Sequence, residues 1–219
     1  MITFIVRHIS SLSILIPAIA AFVRFRKLDE SYLPFLVFIW AGMLNEAVSI
    51  TLSYTIRNNI LSNNIWFLLE FSLILWQFHR WQLFDRNKKL FYGIIILLST
   101  IWTVDNFFIE SIFKRFCSYF IIASSYTIVL TSISMINRLI VQEKEIVWKN
   151  VSFIICGGFL LFYSINILTE SFYKYGFKAF PGLSSGVFEI LRRINIITNL
   201  IYFVAILWMP TKRKFILQS

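Results

Sequence analysis

Apolar positions along the chain gather into seven long runs, at residues 5–23, 32–54, 64–83, 90–108, 116–137, 151–171 and 187–209, parted by short polar connections. Each run approaches the roughly 20 residues that a helix needs to cross a bilayer core. No Gly/Ser/Pro linker, low-complexity tract or internal repeat interrupts the series. The pattern therefore predicts an all-α, polytopic membrane fold of seven transmembrane helices in one domain, residues 1–219.

Polar residues recur inside these runs at helical spacing. Arg192, Asn195, Asn199 and Tyr202 fall at i, i+3, i+7 and i+10 of the seventh run and share a face. Comparable stripes run through the second (Gly42, Glu46, Ser49, Ser53, with Asn45 beside Glu46), the third (Asn63, Trp66, Glu70, Gln77), the fifth (Ser118, Ser125, Ser132) and the sixth (Tyr163, Asn166, Glu170). At 1.5 Å of rise per residue, Glu70 lies roughly 9 Å and Glu46 roughly 12 Å below the polar edge of its run, with Arg192 at a similar depth. A charge at the centre of a span costs about 2.5–3.5 kcal/mol on insertion scales, so mutual pairing of Arg192 with Glu46 or Glu70 inside the bundle is expected. Arg193 points off this face, either snorkelling to headgroups or pairing with Glu189 four residues earlier.

Composition agrees with the membrane class: 58% of residues are hydrophobic, 18% are aromatic and the mean hydropathy is +0.73. The net charge of +10 does not indicate nucleic acid, because the basic residues are dispersed between apolar runs instead of collected on one polar face. Their sidedness sets an orientation. Arg24, Arg26 and Lys27, then Arg80, Arg86, Lys88 and Lys89, then Arg138, Lys144 and Lys149, and lastly Lys212, Arg213 and Lys214 follow alternate runs. The other side carries fewer: Arg7, Arg57, Lys114, Arg115, Lys174 and Lys178, with Arg192 and Arg193 inside the seventh run. The positive-inside rule then places the amino terminus outside and the carboxyl terminus inside. Arg7, the first run and the small residues Ala18–Ala20 imitate a cleavable signal peptide, but cleavage would put Arg24, Arg26 and Lys27 on the wrong side, so the segment is expected to stay.

Familiar catalytic sets are missing from the pattern. His8 and His79 lie at opposite faces, so no three-ligand zinc site is expected, and no cofactor is implied. Ser124 and Ser125 have no histidine or lysine at their level to act as a base, and serve better as small interhelical residues. Cys117 and Cys156 differ too much in depth to form a disulfide. "CGG" at 156–158 reads as a close-packing point between helices, and no lysine between Lys178 and Lys212 is available for a retinal Schiff base.

The acids in the runs fall in their outer halves or margins: Glu46, Glu70, Asp105, Glu110, Glu170 and Glu189. That gradient favours an outward-opening polar cavity over a pore, although Gln77, His79, Asn137 and Asn199 are placed to continue a wet path inward. Four readings of the cluster Asn45, Glu46, Glu70, Asn166, Arg192, Asn195 and Asn199 stay open: a packing lock, a site for an external ligand, a step in transport, and intramembrane catalysis. The connection 170–186, with hinges at Gly176, Pro181 and Gly182, suits either an interfacial anchor or a lid.

"LLEFSLILW" in the third run, "LLFYSINILTESF" in the sixth and "INIITNLIYFVAILW" in the seventh resemble the pattern of short, uncharacterised seven-helix bacterial membrane proteins, some of them associated with sensor-kinase systems. The resemblance spans nearly the whole chain. It departs where that pattern has a histidine ahead of the paired asparagines and this chain has Arg192 and Arg193. It implies a sensory or accessory module of the bacterial cytoplasmic membrane, whose partners are the lipid bilayer, a small external ligand and a membrane protein such as a sensor kinase, reached through the basic loops or helix contacts. A small-solute or ion transporter and a structural subunit of a membrane complex are the alternatives.

Overall fold

The computed structural model of the chain describes residues 10–109, 111–142, 147–176 and 184–211. It is all-helical, with seven α-helices and no β-strand among the described residues: α1 (Leu15–Arg24), α2 (Leu33–Thr55), α3 (Ile60–Arg80), α4 (Lys88–Val104), α5 (Ser118–Gln142), α6 (Val151–Ser171) and α7 (Ser184–Trp208). Each expected run carries one of them. Outside the described residues lie the start of the first run with Arg7 and His8, together with Glu110, Lys144, Lys178, Pro181, Gly182 and the basic triplet 212–214.

Local chemistry explains the boundaries. Pro17 and Pro34 sit in the first turns of α1 and α2, where a missing N–H costs nothing. Asn87 and Asn150 cap α4 and α6, their side chains accepting from the backbone N–H groups of Leu90 at 3.3 Å and Ser152 at 2.8 Å. Asn58 accepts from the N–H of Ile60 at 3.0 Å as α3 begins. The last turns of α4 and α6 widen into π geometry at Asp105–Ile109 and Phe172–Gly176.

Long-range hydrogen bonds define two ends of an up-and-down bundle. At the basic end, Gln77 near the close of α3 accepts from the N–H of Phe35 and donates to the carbonyl of Ser31, both at 2.8 Å. Arg24 donates to the carbonyls of Ile206 and Leu207 that finish α7, and Arg138 donates to the carbonyl of Gln82 at 2.6 Å. Each guanidinium thus satisfies carbonyls that a terminating helix or turn leaves open. At the opposite end Asn64 of α3 is fully buried, donating to the carbonyls of Ile112 and Arg115 at 3.0 and 2.9 Å and accepting from the N–H of Cys117 at 3.1 Å. One side chain therefore shapes the α4–α5 connection.

The polarity of the surface is reversed relative to a protein that folds in water. Phe22, Val23, Ile96, Phe108 and Val141 are exposed, whereas Asn64, Gln77, Ser132 and Asn199 are buried. Exposed hydroxyls on the helix flanks fold back instead of facing outward: Thr51, Ser72, Thr100 and Ser134 each donate to the carbonyl four residues earlier at 2.7–2.8 Å. Such back-bonding is how a hydroxyl is satisfied where water is absent. Five helical segments, Glu30–Thr55, Lys88–Ile109, Ser118–Val141, Val151–Tyr175 and Gly186–Trp208, are long and apolar enough to cross a membrane. The chain has the make-up of a membrane protein. α3 falls short of that hydropathy because it carries the polar residues Asn63, Asn64, Glu70 and Gln77, two of which are buried inside the bundle.

Aromatic packing fills the middle of the bundle. Phe35 meets Tyr202 edge-to-face at 5.2 Å, Phe159 lies 5.8 Å from Tyr202, and Phe78 lies 6.0 Å from Phe159. The α6–α7 approach depends on Gly158, where a Cβ would stand 2.6 Å from a ring carbon of Tyr202; Gly157 beside it faces open space. Of the two glycines in "CGG", only Gly158 is a close-packing point. Cys117 and Cys156 are free and buried, as their depths required.

Candidate functional site

A partly open cavity of about 330 Å³ lies between α2, α3, α6, α7 and the segment ahead of α1. The helical spacings that defined the stripes deliver their side chains to it. α2 contributes Gly42, Asn45 and Glu46; α3 contributes Asn63, Trp66 and Glu70. α6 adds Tyr163, Asn166 and Glu170, and α7 adds Arg192, Asn195, Asn199 and Tyr202. All seven residues of the expected cluster border one space. Three parts of the stripes do not. Ser49 and Ser53 of α2 are off the lining, Ser49 accepting from the amide of Asn59 at 2.6 Å. Gln77 is committed to the start of α2, and the α5 serines stand behind the wall, where Ser125 accepts from the amide of Asn166 at 3.2 Å.

The pairing inside the cavity differs from the expectation. Arg192 meets neither Glu46 nor Glu70; its guanidinium lies 3.4 Å from Glu189 one turn earlier on its own helix, and Arg193 reaches the other oxygen of Glu189 at 3.6 Å. The pairing proposed for Arg193 is present. Glu70 instead accepts from the hydroxyl of Tyr163 at 2.6 Å, and Glu46 has no hydrogen bond or ion pair among the described residues. A local i, i+3 contact is available to Arg192 as soon as α7 forms, while a contact with α2 or α3 requires the cavity to collapse.

The asparagines anchor the walls. Asn195 donates to the carbonyl and hydroxyl of Ser10, each at 3.3 Å, and Asn199 donates to the hydroxyl of Ser13 at 2.7 Å, tying α7 to the chain before α1. Asn45 donates to Asn63 at 3.4 Å and accepts from Ser62 at 3.1 Å, which holds α2 against α3. With their amide nitrogens so engaged, these residues set the width of the opening.

Toward the basic end the cavity stops at Phe38, Ile39 and Tyr202, backed by the buried rings of Phe35, Phe78 and Phe159. Three of the four residues considered for an inward polar path do other things: Gln77 is saturated by backbone, His79 stacks on Phe91 at 4.6 Å, and Asn137 is exposed on the bundle's flank; Asn199 stays on the cavity wall, donating to Ser13. Of the connection considered as a lid, the described part packs sideways, with Lys174 4.0 Å above the Tyr119 ring and Tyr173 6.2 Å from Phe188. Residues 177–183 lie outside the described residues.

Two functional-looking residues were not singled out from the sequence. Asn64 enters there only as the first residue of the third run, although the asparagine-rich stretch Asn58, Asn59, Asn63 and Asn64 signals side chains that bond backbone in a turn. Thr198 lines the cavity at 2% exposure with its hydroxyl unpartnered in the described structure, and nothing in its spacing marks it out. Among the described residues no three His, Cys, Asp or Glu side chains converge as metal ligands. No protein-family model matches the chain, no curated protein matches its sequence, and no solved structure matches its fold.

Proposed function

We propose that the chain is a seven-span protein of the bacterial cytoplasmic membrane, amino terminus outside, which binds an external ligand in the cavity as a sensing or accessory signalling subunit. The observation that carries this reading is the partly open space of about 330 Å³, mostly apolar with convergent polar groups, whose carboxylates are not locked by the arginine. A cluster serving only to fix helix packing would close on itself, because an unpaired buried charge is costly. Here Glu46 and Glu70 border open volume. The volume falls in the range of small-molecule sites, which are mostly apolar with a few convergent polar groups. The positive-inside rule places the cavity's polar rim, near Asn63 and Glu170, on the outer side, and the aromatic floor separates it from the basic end. Transport would need that floor to open, and the chain carries no inverted repeat to suggest alternating access. A sensing module acts through a partner, for which the basic loops or the helix flanks are the available surfaces.

The test is a native mass spectrum of the unmodified protein, extracted gently from its own membrane. A retained small molecule or lipid of defined mass, lost in Glu46→Gln or Glu70→Gln, is the expected result. A bare protein, or one holding only a second polypeptide, would overturn the ligand reading in favour of a structural subunit.

A further inference from the structure

Building on the ligand-site reading, the charge inventory of the cavity narrows what it accepts. Among the described residues three acidic side chains border it, Glu46, Glu70 and Glu170, against one guanidinium, that of Arg192. That guanidinium is already engaged by Glu189 at 3.4 Å. Glu170 has the Ser118 hydroxyl and the Lys174 ammonium in its neighbourhood. Glu70 has only a neutral donor, the Tyr163 hydroxyl at 2.6 Å, and Glu46 has none among the described residues. A carboxylate shielded from water gains most from an opposite charge or a strong donor, and α2, α3, α6 and α7 bring no further base to this space.

The walls favour the same sign of charge. Trp66 and Phe38 line the cavity with their rings stacked at 6.3 Å, and Phe67, Phe162, Tyr163 and Tyr202 surround them. The negative faces of aromatic rings attract a cation, most of all where water is displaced. A separate observation marks a hydrogen-bonding position on the wall. Thr51, Thr100, Thr127 and Thr169 each donate to the carbonyl four residues earlier, yet Thr198, 2% exposed on the cavity wall, makes no such bond.

We propose that the cavity binds an organic cation, an amine or quaternary ammonium with an apolar body, whose charge lies between Glu46 and Glu70 and whose body packs on Trp66 and Phe38. Arg192, held by Glu189, sits at the margin of this site, and the excess of acidic side chains over that one guanidinium makes anions the poorer guests.

Charge-selective cysteine labelling tests this on the whole protein in lipid nanodiscs. Thr198→Cys places a thiol on the cavity wall, and Asn195→Cys is the substitute if that variant does not fold. Cys117 and Cys156 are buried, and the unmodified protein measures their background. The rates of 2-(trimethylammonium)ethyl and 2-sulfonatoethyl methanethiosulfonate are each normalised to the same reagent's rate with free cysteine. The cationic reagent is expected to react about tenfold faster or more, the scale on which a cleft of one sign concentrates counter-ions. The preference should vanish in the Glu46→Gln/Glu70→Gln background. Equal normalised rates, an anionic preference, or a cationic preference that survives the double substitution would overturn the cation assignment while leaving the cavity in place. Failure of both reagents at both positions would overturn the cavity reading and the assignment with it.

Discussion

Two adjacent glycines on α6 allow packing to be measured against a built-in control. An alanine Cβ at Gly158 would meet Cε1 of Tyr202 at 2.6 Å, Cδ1 at 3.2 Å and the γ-methyl of Ile201 at 3.4 Å, whereas at Gly157 nothing lies within 4 Å. Tyr202 cannot swing away cheaply: it is 3% exposed, with Phe35 at 5.2 Å, Phe159 at 5.8 Å and Phe38 at 6.1 Å. Overpacking of this kind costs about 1–3 kcal/mol. Replacing glycine by alanine inside a helix otherwise gains up to about 1 kcal/mol, and that gain is common to both positions. Gly157→Ala should therefore be neutral or stabilising, and Gly158→Ala should lie about 1–3 kcal/mol below it, since the difference cancels propensity and isolates the clash. Thermal unfolding of the two variants in the same detergent gives the comparison. If they agree within about 0.5 kcal/mol, α6 and α7 are not in the register described, and the aromatic floor of the cavity goes with it.

Gln77→Leu removes both 2.8 Å bonds to the start of α2 and leaves the N–H of Phe35 and the carbonyl of Ser31 without their partner; a loss of about 1–3 kcal/mol per stranded group is expected in the same melts, and a neutral result would refute the tie. A double-mutant cycle of Tyr163→Phe with Glu70→Gln should show a coupling of about 0.5–3 kcal/mol, while the cycle of Arg192→Met with Glu70→Gln should add within about 0.5 kcal/mol. Strong coupling of the second pair would restore the direct ion pair that the structure lacks. Asn64→Ala strands the carbonyls of Ile112 and Arg115 and should loosen the α4–α5 connection, read as faster hydrogen exchange confined to residues 111–117. Uniform exchange along the chain would count against that local role.

The seven helices and the membrane class were legible because both rest on information local to each run. Apolar length sets what can cross hydrocarbon, and 3.6-residue spacing sets which side chains share a face. The same locality made Glu46, Glu70 and Arg192 visible as neighbours in depth before any helix was placed beside another. α3 shows the limit of averages: its buried polar residues dilute its hydropathy, although its length and its place in the bundle match those of its neighbours.

What the sequence determined by itself, then, was a set of helices and the polar face of each. The tertiary structure alone decided which polar groups meet. Arg192 turned to Glu189, Glu70 to Tyr163, Gln77 to the backbone of α2 and Asn64 to the backbone before α5, because rotation about the helix axes and the distance between them decide which donor arrives within 3 Å. A stripe of carboxylates and one arginine is compatible with a closed lock or an open cavity. The aromatic packing of Phe35, Phe38, Phe159 and Tyr202, which holds α2, α6 and α7 at a fixed separation, is what keeps it open.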